Sequence, residues 1–275
     1  MFSPCEALSA FASCSAASRR SQEASVDELS DRVALVTGGS RGLGRGIALV
    51  LAERGAHVVV NYRSAAEEAD QVVAAIRHMG RQALSVQADV ASAEQVACLF
   101  DETVGQFGRL DILVNNAGTT RHQDIFETAE DDWHHILETN LTSCFLCAKR
   151  AMELMARQKS GRIVNISSIV GHRGALFGHV HYAATKSGML GFTKTLARTG
   201  APLGINVNAV APGLIETDLL LQTHGEEEVE RLADQIPLGL GTPRDVGLAV
   251  AFLCGEGGRY ITGATLDVNG GAYLR

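Results

Sequence analysis

Tyr182 and Lys186 stand four positions apart in "HYAATKSG" (residues 181–188), with only Ala183, Ala184 and Thr185 between them. On a helix, positions i and i+4 share a face, which lays an ammonium beside a phenol. A tyrosine hydroxyl ionises near pH 10 and exchanges protons reluctantly at neutrality. A cation held against it favours the phenolate and brings that value nearer the working pH. Lysine is scarce in the chain: Lys149, Lys159, Lys186 and Lys194 are all there are. An isolated Tyr-x-x-x-Lys is also what an ordinary exposed helix face contains, so the surrounding sequence has to decide between the two.

A second chemical candidate is "TGGSRGLG", Thr37–Gly44, between a short β-branched run and a stretch with helical spacing. Gly38, Gly42 and Gly44 permit a tight turn and close backbone approach, with Ser40, Arg41 and Leu43 between them. The helix start that follows aims free N–H groups at an anion. After the first strand of a βαβ unit, this arrangement reads as a dinucleotide pyrophosphate site. The tip of the next strand discriminates between dinucleotides, because an acid there binds the ribose and disfavours a 2′-phosphate. The chain has "NYRS", Asn61 to Ser64, with no acid and with Arg63. Arg41 is a second cation for that phosphate. The expected coenzyme is NADP(H), with NAD(H) as the alternative.

The elements that must carry these residues follow a regular alternation from Asp31 onward. "RVALVTGG", "AHVVVNY", "QALSVQADV", "DILVNNAG", "GRIVNISS", "INVNAVAP" and "GATLDVNGG" read as strands. Helical stretches separate them, among them one long helix through "DDWHHILETNLTSCFLCAKRAMELMARQ". Such alternation predicts an α/β, single-domain Rossmann fold: a doubly wound parallel sheet of about seven strands with helices on both faces. No Pro/Ser-rich linker divides residues 31–275. Residues 212–241 lack periodicity and are expected to form a lid-like insertion. The first thirty residues, rich in Ser and Ala, read as a disordered extension or a start assigned too far upstream, with an organelle transit peptide as a third possibility.

Composition excludes several classes. A net charge of −7 argues against nucleic acid as a partner. No apolar run approaches the length that spans a bilayer, so the expectation is a soluble, cytoplasmic protein. The six scattered cysteines suit reduced thiols. Cys144 and Cys147 form a C-x-x-C, but no second Cys/His pair accompanies them, so buried small side chains are expected and no metal.

In this order, the motifs resemble the short-chain dehydrogenase/reductase family, and within it the 3-oxoacyl-acyl-carrier-protein reductases. The resemblance covers residues 31–275. It rests on TGxxxGxG at 37–44, "NNAG" at 115–118, "ETNLTS" with Asn140 and "NISS" ending at Ser168. YxxxK at 182–186, "APGLIETD" at 211–218 and "ITGATLDVNGG" at 261–271 complete it. It implies reversible hydride transfer between a nicotinamide and a carbonyl or secondary alcohol. Tyr182 is then the acid–base group, Lys186 also holds the nicotinamide ribose, and Ser168 hydrogen-bonds the substrate carbonyl as charge develops on its oxygen. Asn140 is implied to hold a proton-relaying water. Asp89 and Val90 are implied to contact adenine, and Asn116 and Ala117 the adenosine ribose, with Gly118 allowing close approach. Pro212, Gly213, Ile215 and Thr217 fall beside the nicotinamide, and a homotetramer is implied.

"SIVGHRGALFGHVHY" is about one residue longer between Ser168 and Tyr182 than in typical acyl-carrier-protein reductases. That loop lines the substrate side, so the substrate stays open between a 3-oxoacyl thioester on acyl-carrier protein and a smaller sugar, polyol or ketone. Arg121, Arg150 and Arg157 are candidates for a basic landing patch for the acidic carrier. His172, His179 and His181 flank the loop and receive no role, since dispersed loop histidines are commonly solvated. A non-catalytic nucleotide-binding scaffold is the other class. Its signature would be degenerate catalytic positions, and the chain keeps Asn140, Ser168, Tyr182 and Lys186.

Overall fold

Short β-branched runs separated by Gly-terminated amphipathic stretches can bury their apolar sides only by stacking helices on both faces of one sheet. In the computed structural model this is what forms. It describes residues 28–217, 220–221 and 225–275, so the expectations for residues 1–27 and part of the lid segment lie outside the described residues. The strands are β1 (Val33–Val36), β2 (His57–Tyr62), β3 (Ala83–Gln87), β4 (Ile112–Asn115), β5 (Gly161–Ile166), β6 (Ile205–Pro212) and β7 (Thr265–Val268). They make one seven-stranded parallel sheet in the order β3-β2-β1-β4-β5-β6-β7. The order reverses between β1 and β4, where Ala34 pairs with Ile112 and Val36 with Val114. A crevice opens at the carboxyl ends of the strands at such a switch point.

Side-chain alternation builds two cores. Ala34, Val36, Ile112 and Val114 face one layer, which holds α1 (Gly42–Glu53), α2 (Ala66–His78) and α9 (Pro243–Cys254). Leu35, Val59 and Leu113 face the other, with α3 (Ala93–Phe107), α5 (Ser143–Gln158) and α7 (Val180–Gly200). Local signals set the helix ends: Ser92 caps α3, Gly108 closes it at φ 73°, and Thr242 with Asp245 forms a capping box on α9.

Three expectations need correction. The folded part begins ahead of Asp31: Leu29 is fully buried in the first core, and its N–H donates to Arg54 O at 2.8 Å. The long helix expected through residues 131–158 is two helices, α4 (Glu130–Leu137) and α5, joined by a π-helical turn at Glu138–Thr142. The segment after Ser168, read as a plain loop, contains the short helix α6 (Val170–Arg173). Within the segment expected as a lid, residues 226–233 form the helix α8 (Glu226–Ala233).

Candidate active site

Two walls of the crevice meet around the glycine loop. Gly38 adopts φ +61° and Gly42 φ +51°, which only glycine tolerates without strain. A Cβ on Gly44 would collide with Gly38 O and come within 2.6 Å of Asn116 Nδ2; one on Gly38 would lie 3.1 Å from Ala117 Cα. Thr37 locks the two walls, its Oγ1 accepting the N–H groups of Asn116 and Ala117 at 3.0 Å each. The Asn116 carboxamide returns the contact by donating to Thr37 O at 2.9 Å. Thr217 completes the ring, its Cγ2 3.8 Å from where a Gly42 Cβ would stand. Gly213 fits only without a side chain, since a Cβ would meet Asn269 Cα at 2.9 Å.

The residues present fit a dinucleotide. Arg41 is the N-cap of α1 and makes no side-chain cap, so the first-turn N–H groups are left for an anion. Arg41 and Arg63 are exposed, and neither side chain has a partner among the described residues. Ser40, Val90 and Ile215 are buried in the walls. Asp89 is held in the turn after β3, its Oδ1 accepting Ala91 N at 2.9 Å. Asn61, which the sequence reading passed over, matters here. It is buried, its Oδ1 accepts Gly38 N at 3.2 Å, and its Nδ2 donates to Ala88 O at 3.0 Å. An Asn near the end of the otherwise apolar "HVVVNY" was the available signal.

The four chemical residues converge at the ends of β5 and α7. Ser168 is buried behind β5, its Oγ accepting Val170 N at 3.1 Å, and it lies close enough to the Tyr182 hydroxyl to influence its ionisation. Lys186 is buried, and its Nζ lies 5.4 Å from the Tyr182 ring centroid. Asn140 sits in the π turn, fully buried. Its Oδ1 accepts Thr119 N at 2.8 Å, and its Nδ2 donates to Thr119 O at 2.9 Å and Thr185 Oγ1 at 3.2 Å. A π turn inserts one extra residue per turn, which is how this carboxamide is turned out of the α4–α5 ridge into the loop after β4.

The electrostatics differ from the sequence expectation at one point. Lys186 does not draw the Tyr182 hydroxyl below its ordinary value. Burial raises that value, and the neighbouring Ser168 side chain opposes the rise. Lys186 Nζ donates instead to Ile166 O at 2.7 Å, and burial lowers its own pKa from 10.5 to about 8. Desolvation acts on both groups of the pair, and each is pushed toward its neutral form.

Other expectations divide. Cys144 and Cys147 are buried, Cys144 with its thiol pushed up to about 12 by burial, and no cluster of metal-binding side chains occurs among the described residues. The proposed basic patch is largely neutralised. Arg121 pairs with Asp132, and Arg150 with Asp101 and Glu153, leaving Arg157 in the last turn of α5. His181, to which no role was given, is fully buried in the first turn of α7. A cleft of about 320 Å³ between Lys194, Arg198 and Gly263 lies at the other end of α7 and contains none of the site residues. No described helix is long and apolar enough to cross a membrane.

Comparison with known proteins adds to this geometry. A family model described as enoyl-(acyl carrier protein) reductase matches residues 38–273. The chain is 47% identical over 242 residues to a Staphylococcus aureus 3-oxoacyl-[acyl-carrier-protein] reductase, covering 88% of this chain and 98% of that one. It is 45% identical over 248 residues to the reductase of that name from Synechocystis, covering 90% and 98%. A solved structure from Sinorhizobium meliloti, described as a candidate short-chain alcohol dehydrogenase, superposes with a TM-score of 0.85 at 39% identity. It covers 90% of this chain and 98% of that one. Parallel sheet, glycine loop and the Ser–Tyr–Lys grouping agree with these matches: the chain belongs to the short-chain dehydrogenase/reductase family of oxidoreductases acting on CH–OH groups.

Proposed function

We propose that this protein is an NADP(H)-dependent reductase of 3-oxoacyl thioesters, with the acyl group carried on acyl-carrier protein. The observation that supports it most is the grouping of Ser168, Tyr182 and Lys186 beside a glycine loop flanked by two exposed arginines, Arg41 and Arg63, whose side chains have no partner among the described residues. The loop amides and the α1 N-terminus hold the pyrophosphate, and Arg41 with Arg63 holds the 2′-phosphate. Asp89, Val90, Asn116, Ala117 and Gly118 line the adenosine side. Pro212, Gly213, Ile215 and Thr217 line the nicotinamide side, and Lys186 reaches the ribose. When bound, the coenzyme supplies the hydride.

Ser168 donates its hydroxyl to the substrate carbonyl oxygen, and Tyr182 passes its proton to the same oxygen as it becomes an alkoxide. The raised pKa keeps Tyr182 protonated and ready before the step. Once the proton has left, the phenolate faces the Lys186 ammonium. That attraction exists only as charge develops and therefore lowers the barrier without holding the ground state. Asn140 fixes Thr119 in the loop after β4. The family expectation of a homotetramer is kept, with the half-exposed Phe145 on α5 as a face for pairing. The family model's description names enoyl substrates, whereas the curated relatives reduce 3-oxoacyl groups. Ser168 beside Tyr182 suits a carbonyl oxygen, which needs two donors, better than a carbon–carbon double bond.

The test is NADPH oxidation with acetoacetyl-acyl-carrier protein, a free acetoacetyl thioester, a crotonyl thioester and a sugar and polyol panel. Turnover confined to the 3-oxo thioesters is expected. Tyr182→Phe should lose at least about 10³-fold in kcat with NADPH affinity nearly unchanged. A Tyr182→Phe variant at full rate would refute the acid–base assignment. Arg41→Ala and Arg63→Ala should each weaken NADPH by about tenfold and leave NADH unaffected, as suits a lost charge-assisted phosphate contact.

A further inference from the structure

We propose that His181, as a neutral imidazole protonated on Nε2, is a positioning residue that fixes the backbone of Tyr182 and ties it through Gln123 to Asp132. The inference rests on the reading of Tyr182 as the proton donor. α7 starts from His179, at φ +57° and without a side-chain cap, and its first intrahelical bond runs from Ala183 N to His179 O. The N–H of Tyr182 is therefore one of the orphan donors of the first turn. His181 Nδ1 accepts it at 2.8 Å.

That bond decides the tautomer. A backbone N–H can only donate, so Nδ1 is bare and the ring proton sits on Nε2. Nε2 lies 3.2 Å from Gln123 Oε1 and donates to it. The Gln123 amide is thereby oriented with its Nε2 donating to Asp132 Oδ2 at 2.7 Å, while Arg121 pairs with the other carboxylate oxygen. Each bond fixes the polarity of the next, from α4 through the loop after β4 to the catalytic turn. A parallel strut runs beside it: Thr120 Oγ1 and His179 Nδ1 are 2.8 Å apart. Gly178, at φ +56°, packs where a Cβ would come within 3.2 Å of Gln123 O.

Protonation of His181 would set an Nδ1–H against the Tyr182 N–H, donor facing donor, and release the turn that aims the phenol. The charges acting on the ring are Asp132 on α4, which favours the imidazolium, and Arg121 in the loop, which opposes it. His179 and Tyr182 flank it on α7 and its N-cap. The π turn meets α7 through the uncharged Asn140 and Leu141. Burial outweighs these charges and holds the ring below the usual histidine value of 6.5. The strut is whole at neutral pH, and activity falls as pH drops through that lowered value.

The experiment compares His181→Phe and His181→Asn with the unmodified enzyme. His181→Phe removes both bonds at similar size and should lose about 10- to 100-fold in kcat with NADPH affinity within about twofold, the cost of an unsatisfied buried donor near the chemistry. His181→Asn keeps an acceptor in the place of Nδ1 but cannot titrate. It should retain most of kcat and lose the acid limb of the pH–rate profile. Nitrogen-15 NMR of the imidazole should show a bare Nδ1 and a protonated Nε2, a readout independent of turnover and of the folding of any variant. Wild-type kcat in His181→Phe, an unchanged acid limb in His181→Asn, or the opposite tautomer would each overturn the inference. Full activity in Tyr182→Phe would instead overturn the functional reading beneath it, with the tautomer measurement still deciding whether the strut exists.

Discussion

Lys186 carries the largest conflict between burial and charge in the site. The residue is 4% exposed, its ammonium is bonded to Ile166 O, and burial lowers its pKa to about 8. The unfolded lysine keeps its proton to about 10.5. Between those values the unfolded chain binds the extra proton, so this group makes stability rise with pH from about 8 to 10.5. Below 8 the cost of burying the ammonium is present in full, on the order of 3 kcal/mol. Two outcomes follow. The rate of carbonyl reduction should fall above about pH 8, as Lys186 becomes neutral and no longer attracts the nascent phenolate; a stopped-flow pH profile reads this directly. Lys186→Met should be inactive yet melt about 2–6 °C higher by calorimetry, after allowance for the lost hydrogen bond. A melting point below that of the unmodified protein would show that the ammonium is better solvated than its burial indicates.

At the scale of elements, the coenzyme cradle is two backbone walls held at contact distance. Replacement of Gly44 cannot be absorbed, because a Cβ meets Gly38 O, a backbone atom, and then the Asn116 amide. Gly44→Ala should weaken NADPH at least about tenfold by fluorescence titration, in line with about 1–3 kcal/mol for overpacking a rigid contact. The sheet should be intact by circular dichroism. The π turn acts at the same scale. It breaks what periodicity reads as one helix, and the break lets Asn140 satisfy both backbone groups of Thr119. Asn140→Ala leaves that N–H and C=O without partners and should cost about 1–3 kcal/mol of stability along with activity, read by urea denaturation beside a rate assay.

Over the whole molecule, the two cores are anchored to chain segments far apart in sequence. Leu29 joins the first core ahead of β1, and the Glu28 carboxylate accepts Glu256 N at 2.6 Å, tying the segment before β1 to the turn after α9. Leu29→Ala should cost about 2–5 kcal/mol, as for a fully buried leucine whose site cannot collapse. The urea midpoint should fall while kcat at 25 °C is unchanged, since Leu29 touches nothing in the crevice. An equal loss of kcat would mean that the first core and the site unfold together.

The seven strands, their parallel winding, the glycine loop and the Tyr182–Lys186 pairing were legible in the linear chain. Each depends on short-range pattern: period 2 or 3.6, glycine where φ turns positive, a partner one helical turn away. Asn61 closing on Gly38, the π turn under Asn140, the cancelling of Arg121 by Asp132 and the burial of His181 were not. These depend on which groups distant elements bring together and on how much water is left between them. Spacing along the chain carries neither quantity. The same holds for the direction of the Lys186 ammonium: a sequence places it beside Tyr182, but only the packed core, by removing solvent and offering the Ile166 carbonyl, decides what that proximity does.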